Sequence, residues 1–246
     1  MSSETESEHP SVIFCLSSEE YSPNFLISWS EVIGYCISNN IKFAISHNYD
    51  RNPYFAKNGC LGGNPKSGKD QVPFGGSVNY KKIIWLDNGI SFKVSDFEKL
   101  INSDKDVIGG LYMSPNNRNF MSCRDMNVDK LQNEGTFEFI TPEEIANKIG
   151  DGELSDEKVE YTGMGFMCMK SGVLEKIDYP WFSPEKLEFS ESGDFYPEDI
   201  SLFKKLKRAD VGVWVNPNII VGYEKNINLL PYKLLEKLES KSKLSS

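Results

Sequence analysis

Lys82-Ile-Ile-Trp-Leu-Asp-Asn-Gly-Ile-Ser-Phe92 is the stretch that decides the fold of this 246-residue chain. Its apolar part, residues 83–86, is short and rich in β-branched and aromatic side chains, which predicts a strand covered on both faces, as in a parallel sheet. Asp87, Asn88 and Gly89 follow directly. Open α/β sheets bind ligands at the carboxyl ends of their strands, so a carboxylate here could hold a divalent cation and a diphosphate. A plain turn is the alternative for the same three residues.

Composition indicates a globular chain with an acidic surface. Hydrophobic residues make up 39% and charged residues 26%, which is ordinary for a folded domain. The net charge of −9 argues against nucleic acid and anionic membranes as partners. No apolar run approaches the roughly 18–20 residues that span a bilayer, so no transmembrane segment is expected.

The terminus and the cysteines predict a cytoplasmic protein that is not secreted. Residues 1–10 are rich in Ser and Glu and lack an apolar region, so they are expected to form a disordered lead-in and not a signal peptide. The chain has five cysteines and no CxxC pair, which fits a reducing compartment. With only two histidines, any metal is expected to be bound by oxygen.

The elements around the central strand predict one α/β domain over residues 11–246, with a mostly parallel central sheet flanked by helices. A strand at 11–16, a helix beginning at Pro23 with Ser22 as its N-cap, and a strand at 41–46 open the chain. This β-α-β unit contains neither GxGxxG nor a P-loop. Further helices are predicted at 54–58, 94–102, 141–150, 171–176, 198–208 and 229–244, and further strands at 106–112, 137–140, 166–169, 211–215 and 219–221. The remaining long segments are predicted to be irregular, at 47–76, 113–135 and 151–158.

Three groups of residues outside the central strand are candidates for chemistry. Lys57, Lys66 and Lys69 could neutralise phosphates, or be ordinary solvated lysines. Glu198-Asp199 begins a predicted helix, where acids commonly stabilise the helix N-terminus, but a carboxylate there could also act as a base in a cleft. The aromatic run at 179–182 could form core or stack on sugar rings.

Three motifs together resemble the GT-A-fold glycosyltransferases, close to the family-2-like enzymes of large DNA viruses, phages and bacteria. They are Ile84-Trp-Leu-Asp-Asn-Gly-Ile-Ser-Phe92, Tyr161-Thr-Gly-Met-Gly-Phe-Met167 and Pro197-Glu-Asp-Ile-Ser-Leu-Phe203, with Val221-Gly-Tyr-Glu-Lys225 behind them. The resemblance covers residues 11–225 and implies a GT-A (Rossmann-like) domain. It also implies transfer of a sugar from a UDP- or GDP-sugar to a hydroxyl of a glycan or glycoprotein acceptor. A viral origin would place that activity in the host cytoplasm.

The resemblance assigns roles to the acidic residues. Asp87 matches the first acid of the Asp-x-Asp motif, which binds Mn²⁺ or Mg²⁺ on the donor diphosphate. Asp199, beside Glu198, matches the general base of inverting members. The sequence departs from the family at Gly89, which replaces the second acid, and at Tyr223, which replaces a histidine that often binds the metal. With an incomplete metal site, lysines could neutralise the diphosphate instead.

The resemblance also implies the residues that contact the two substrates. Those expected to bind the donor are Asp50, Asn52, Lys57, Asn58, Asp87, Asn88 and Gly163. Those expected to border the acceptor are Gly165 and Trp181. Two alternatives remain: a catalytically degenerate relative that binds nucleotide or glycan, and a nucleotidyltransferase of the same architecture. The second lacks support from a glycine-rich basic loop after the first strand.

Overall fold

A computed structural model describes residues 10–149, 152–188 and 193–225. The predicted lead-in, apart from Pro10, and the predicted helix at 229–244 lie outside the described residues. The helices are α1 (Pro23–Ser38), α2 (Pro53–Cys60), α3 (Val94–Asn102), α4 (Val128–Glu134), α5 (Pro142–Lys148) and α6 (Glu198–Arg208). The strands are β1 (Val12–Leu16), β2 (Phe43–His47), β3 (Lys82–Leu86), β4 (Ile90–Ser91), β5 (Val107–Leu111), β6 (Ser122–Asp125), β7 (Glu138–Phe139), β8 (Glu157–Val159), β9 (Tyr161–Thr162), β10 (Phe166–Lys170), β11 (Glu185–Glu188), β12 (Gly193–Tyr196), β13 (Val213–Ile220) and β14 (Gly222–Tyr223).

The central sheet has seven strands in the order β2-β1-β3-β10-β5-β13-β8. β1 pairs in parallel with β2 and β3, and β5 pairs in parallel with β13. β10 runs antiparallel to both β3 and β5, and β8 runs antiparallel to β13. The sheet is therefore mixed, which corrects the expectation of a mostly parallel one. A buried antiparallel strand such as β10 carries the same continuous apolar run as a parallel strand, so the sequence pattern did not separate the two.

Both faces of β3 are buried, as its sequence predicts. Ile83 and Trp85 pack into the core on one face of the sheet, and Ile84 and Leu86 pack into the core on the other. These four residues are at most 2% exposed. The central strand thus fixes the position of Asp87, the first residue beyond it.

Local signals at the helix ends agree with the structure. The Ser22 hydroxyl accepts a hydrogen bond from the Phe25 amide at the start of α1. Thr141 and Glu144 form a capping box at the start of α5. These caps satisfy amide groups that a helix N-terminus leaves without partners. Within the described residues, no helix combines the length and apolar character needed to cross a membrane.

Several segments differ from the prediction, including the helix expected at 171–176, where only a short helical turn forms at Leu174–Lys176. The supposed irregular insertion at 113–135 contains β6 and α4, and the charged loop at 151–158 runs into β8. The two strands expected at 211–215 and 219–221 form the single strand β13, which has a register irregularity between Asn216 and Ile220. β11 and β12 form an additional antiparallel pair. Short or polar strands lack the alternation that reveals a strand in sequence.

Because β10 runs antiparallel between β3 and β5, the loop that leads into β10 lies at the edge of the sheet where β3 ends. Phe166, the first residue of β10, pairs with Leu86, the last residue of β3. The Asp87 amide then donates to the Gly165 carbonyl at 3.0 Å. The segment before β10 therefore lies against the residues that follow β3.

Candidate functional site

A cavity of about 130 Å³ opens at this edge of the sheet. Its charged lining residues are Lys57, Asp87, Asp199 and Lys225. Three tyrosines also line it, Tyr112, Tyr161 and Tyr223. The side chains come from the end of β3, the end of β5, the start of α6, helix α2 and the segment around β14. Segments far apart in sequence thus meet in one charged site.

Lys57 joins α2 to the first turn of α6. Its ammonium lies 2.9 Å from the Glu198 carboxylate, and the side chains of the two residues are only 11% and 16% exposed. The first residue of α6 is thereby held beside Asp199 and Asp87. The structure brings together the three acids at 87, 198 and 199 that the sequence analysis singled out.

The Asp199 carboxylate is fixed through both of its oxygens. The Tyr161 hydroxyl donates to Oδ2 at 2.9 Å, and the Ile200 amide donates to Oδ1 at 2.8 Å. Both oxygens of Asp199 are therefore held in place on the cavity wall.

The charges at this site shift one another's pKa values. Burial raises the pKa of Asp87; the Lys57 ammonium lowers that pKa, and the carboxylates of Asp199 and Glu198 raise it further. Burial alone would lower the pKa of Lys57, but the three surrounding carboxylates outweigh that effect and raise it. Lys57 thus remains a cation, and it stabilises an acidic cluster whose members repel one another.

Tyr112 occupies the space that two glycines leave. A Cβ atom on Gly163 would lie 2.0 Å from the Tyr112 hydroxyl, and one on Gly165 would lie 3.0 Å from the Asp87 carboxylate. The Gly165 amide donates to the Tyr112 hydroxyl at 3.0 Å, and burial raises the pKa of that hydroxyl. The absence of a side chain at Gly163 and Gly165 therefore leaves room for Tyr112 and Asp87 on the cavity wall.

The position expected to carry the second metal-binding acid is closed by the backbone. A Cβ atom on Gly89 would lie 2.6 Å from the Glu224 carbonyl oxygen. The Glu224 amide also donates to the Gly89 carbonyl at 2.7 Å, so the two segments cannot separate easily. Tyr223, at the expected histidine position, stacks on Tyr112 with ring centroids 5.5 Å apart.

The residues present therefore do not fit the Mn²⁺ or Mg²⁺ site expected at Asp87. In the parts of the chain that the structure describes, there is no group of three or more His, Cys, Asp or Glu side chains placed to hold a metal ion. Two ligands expected beside Asp87 are missing. A side chain at position 89 would collide with the Glu224 carbonyl, and Tyr223 stands in place of the expected histidine and stacks on Tyr112. The assignment of Asp87 as a metal ligand stays a prediction, and the missing companion ligands argue against it.

Gly89→Asp is expected to destabilise the protein without creating a metal site. The new side chain would collide with the Glu224 carbonyl, and forced overpacking of this kind costs about 1–3 kcal/mol of unfolding free energy. Urea denaturation and Mn²⁺ calorimetry measure the two effects. Asn88→Asp is the matched control, since it adds the same charge at the neighbouring position. A Gly89→Asp variant that is as stable as the native chain and binds Mn²⁺ would contradict this account.

Asn88 borders a second cavity of about 260 Å³, which adjoins the first along the 87–89 turn and the segment at 223–225. Gly89 and Glu224 line it, together with Tyr21 and Ser22 from the entry to α1. The Ser22 amide donates to the Asn88 carbonyl at 2.9 Å. Asn88 thus follows Asp87 in the chain but lines the second cavity and not the charged one.

Two other predicted donor residues lie in the loop before α2. The Asp50 carboxylate accepts a hydrogen bond from the Asn52 amide at 2.9 Å. Both residues are exposed. They lie in the segment that leads into the helix carrying Lys57, outside the charged cavity itself.

Asn58 and Trp181 have structural surroundings that differ from the expected ones. Asn58 is buried, and its side chain exchanges two hydrogen bonds with the Phe182 backbone, at 2.7 and 3.2 Å. Its side chain therefore holds the loop at Phe182, and its contact with the donor stays a prediction. Trp181 is 0% exposed and lies in the core, so it cannot contact an acceptor in this structure. The core alternative for the aromatic run describes it correctly.

Sequence reasoning missed Tyr112 and Tyr161 as site residues. Tyr112 directly follows β5, Tyr161 lies in the two-residue strand β9, and each is almost fully buried. A tyrosine at the end of an apolar strand is ordinary core in sequence. Only the meeting of β5, β9 and α6 reveals that these hydroxyl groups contact the site.

Comparisons with known proteins identify no family for this chain. No family model matches it, and no curated protein matches it. Among solved structures, it is similar to A197 from STIV, with a TM-score of 0.45, 16% identity, and coverage of 89% of this chain and 96% of that one. It is also similar to GalNAc-T7, solved with UDP, GalNAc and Mn²⁺, with a TM-score of 0.46 and 10% identity. That match covers 91% of this chain but only 45% of GalNAc-T7. Both TM-scores are below 0.5, and neither likeness establishes an activity.

Proposed function

We propose that this protein is a glycosyltransferase. It would move a sugar from a nucleotide-diphosphate donor, a UDP- or GDP-sugar, to a hydroxyl of a glycan or glycoprotein acceptor. The observation that carries the proposal is the Asp199 carboxylate, held by Tyr161 and the Ile200 amide on the wall of a cavity that also exposes Lys57 and Asp87. A base and a cation on one cavity wall meet the two chemical needs of sugar transfer.

The proposed reaction inverts the configuration of the sugar. The acceptor oxygen attacks the anomeric carbon as its proton passes to Asp199. The bond between that carbon and the diphosphate oxygen breaks, and the nucleoside diphosphate leaves with both electrons of the bond. Glu198 is bound to Lys57, so its role is to position that cation and not to accept the proton.

The donor would extend beyond the charged cavity. Small-molecule sites usually have volumes of about 300–1,000 Å³, whereas this cavity measures about 130 Å³. The exposed loop with Asp50 and Asn52 precedes the helix that carries Lys57, and it remains the proposed contact for the nucleotide base. Gly163 and Gly165 would border the sugar and the acceptor through Tyr112.

Cysteine chemistry supports a cytoplasmic location for this activity. All five cysteines are free and buried. Burial raises the pKa of the Cys60 thiol to about 11, with a partial offset from its hydrogen bonds to backbone carbonyls, so this thiol is unreactive at neutral pH. Free thiols of this kind are typical of a reducing compartment.

A screen of UDP- and GDP-sugars tests the proposed function. Thermal shift detects donor binding, because a ligand that binds only the folded state raises its stability. Release of UDP or GDP detects donor hydrolysis or transfer. At least one donor is expected both to raise the melting temperature and to be consumed. A complete panel with neither effect would contradict the proposal.

The second candidate is a catalytically inactive protein that binds nucleotide or glycan. The incomplete set of metal ligands around Asp87 favours it, because two positions of the expected motif are replaced. It predicts donor binding without donor consumption. The same screen therefore separates the two candidates.

Tyr161→Phe is expected to lower the rate of sugar transfer about tenfold or more. The variant loses the hydroxyl that orients Asp199, and a hydrogen bond to a charged group contributes about 1.5–3 kcal/mol. Tyr80→Phe is the matched control, since it removes a tyrosine hydrogen bond to Glu175 outside the site. Steady-state kinetics on both variants provide the measurement. Equal rates in the two variants would show that Tyr161 does not position the base.

A further inference from the structure

Lys57 differs from the other two lysines proposed to neutralise phosphates. Lys69 pairs with Asp178 on the surface, where its side chain is 70% exposed. Lys66 is exposed in a short helical turn. Lys57 alone among these three lines the charged cavity. Of the three lysines in this polar segment, Lys57 is therefore the one placed to contact a ligand in the charged cavity.

The Lys57 ammonium lies where several anions converge. It is bonded to Glu198 at 2.9 Å, and it is 5.8 Å from the centroid of the Phe182 ring. Asp87 and Asp199 share the cavity wall with it. An ammonium has three N–H donors, so bonding to Glu198 leaves it able to donate to a ligand as well.

Two side chains of the expected metal motif are missing here. The Glu224 carbonyl closes the position beside Gly89, and the Tyr112–Tyr223 stack fills the position of a third ligand. Lys225, whose ammonium lies 5.0 Å from the centroid of the Tyr223 ring, adds a second positive charge at the cavity. Positive charge is therefore supplied by side chains on this wall.

We infer that the Lys57 ammonium is the resident cation of this site and takes the place of a divalent metal. It holds the carboxylates of Asp87, Glu198 and Asp199 together in the free protein. This inference rests on the proposed function in one respect: when the donor is bound, Lys57 would neutralise the diphosphate as it leaves, with Lys225 at the rim. Donor binding would then need no metal ion.

Removal of Lys57 should convert the cluster into a cation site. Without its ammonium, three carboxylates would remain in a half-buried cluster, with only the Lys225 ammonium at the cavity rim to neutralise them. Clustered carboxylates attract a proton or a divalent cation, because either relieves their repulsion. The same substitution should weaken binding of a diphosphate, which loses its cationic partner.

The experiment compares the native chain, Lys57→Met and the control Lys69→Met. Mn²⁺ binding is measured by calorimetry without nucleotide. UDP and GDP binding is measured with EDTA and again with Mn²⁺. The native chain and Lys69→Met are expected to bind nucleotide equally well in both buffers and to bind no Mn²⁺. Lys57→Met is expected to lose about tenfold or more in nucleotide affinity, as one charge-assisted hydrogen bond predicts, and to gain Mn²⁺ binding.

Each contrary result has a separate meaning. If native nucleotide binding requires Mn²⁺, the inference is overturned and the glycosyltransferase proposal stands. If neither UDP nor GDP binds in either buffer, the proposed function is overturned, and the Mn²⁺ measurements alone decide whether Lys57 excludes a metal. If Lys57→Met fails to fold, Lys57→Arg replaces it. This variant keeps the charge and is expected to exclude Mn²⁺, so Mn²⁺ binding by it would overturn the inference.

Discussion

Asp199→Asn is expected to lower the rate of sugar transfer by about 10²–10⁴-fold, the usual contribution of a positioned general base. The amide has nearly the same shape as the carboxylate but cannot accept the acceptor's proton. Tyr161 and the Ile200 amide bind the two carboxylate oxygens, so the native group is already aligned. Nucleotide affinity should change little, because the base acts on the acceptor.

Asp129→Asn is the control for this substitution. Asp129 is an exposed acid in the first turn of α4, as Asp199 is an acid in the first turn of α6. Any effect of a lost charge at a helix N-terminus is therefore present in both variants. Single-turnover kinetics with a bound donor isolates the chemical step. An Asp199→Asn variant with the native rate would remove Asp199 from the mechanism and favour the inactive binding protein.

Trp181→Ala is expected to cost about 3–5 kcal/mol of unfolding free energy, as other large truncations in protein cores do. The indole is fully buried, and its ring lies 5.3 Å from that of Tyr179 in an edge-on arrangement. Its removal would leave a cavity that the surrounding sheet and loops cannot fill. Urea denaturation of the native and variant proteins provides the measurement.

Trp181→Phe is the matched control and should cost less than the alanine variant. It keeps an aromatic ring in the core, and among the described residues the Trp181 indole N–H has no hydrogen-bond partner that the smaller ring would lose. If Trp181 instead contacted an acceptor, Trp181→Ala would raise the KM for that acceptor and leave the unfolding free energy unchanged. That pattern would contradict its assignment to the core.

The sequence was most informative where a local pattern has one structural solution. The short apolar run before Asp87 required a buried strand, and Ser22-Pro23 required the start of a helix. Glu198 and Asp199 likewise begin α6, where acids are favoured. Each of these signals lies within a few residues, so the sequence predicted the strand that precedes Asp87 and the helix that begins at Glu198.

Features that depend on contacts between distant segments could not be predicted in this way. The direction of β10 depends on how the chain returns between β3 and β5, and its apolar sequence is the same for either direction. The resemblance placed Lys57 near the phosphates, but its ion pair with Glu198 depends on the contact between α2 and α6 and could not be predicted. The obstruction at Gly89 comes from the Glu224 carbonyl, which no motif near residue 89 reveals.

A crystal structure of the protein with UDP or GDP would locate the bound nucleotide. The diphosphate is expected in the charged cavity, with an oxygen within hydrogen-bonding distance of the Lys57 ammonium and with Asp199 open to an acceptor. No metal ion is expected between the diphosphate and Asp87. A nucleotide bound on another surface, with the cavity between Lys57, Asp87 and Asp199 left unoccupied, would contradict the account.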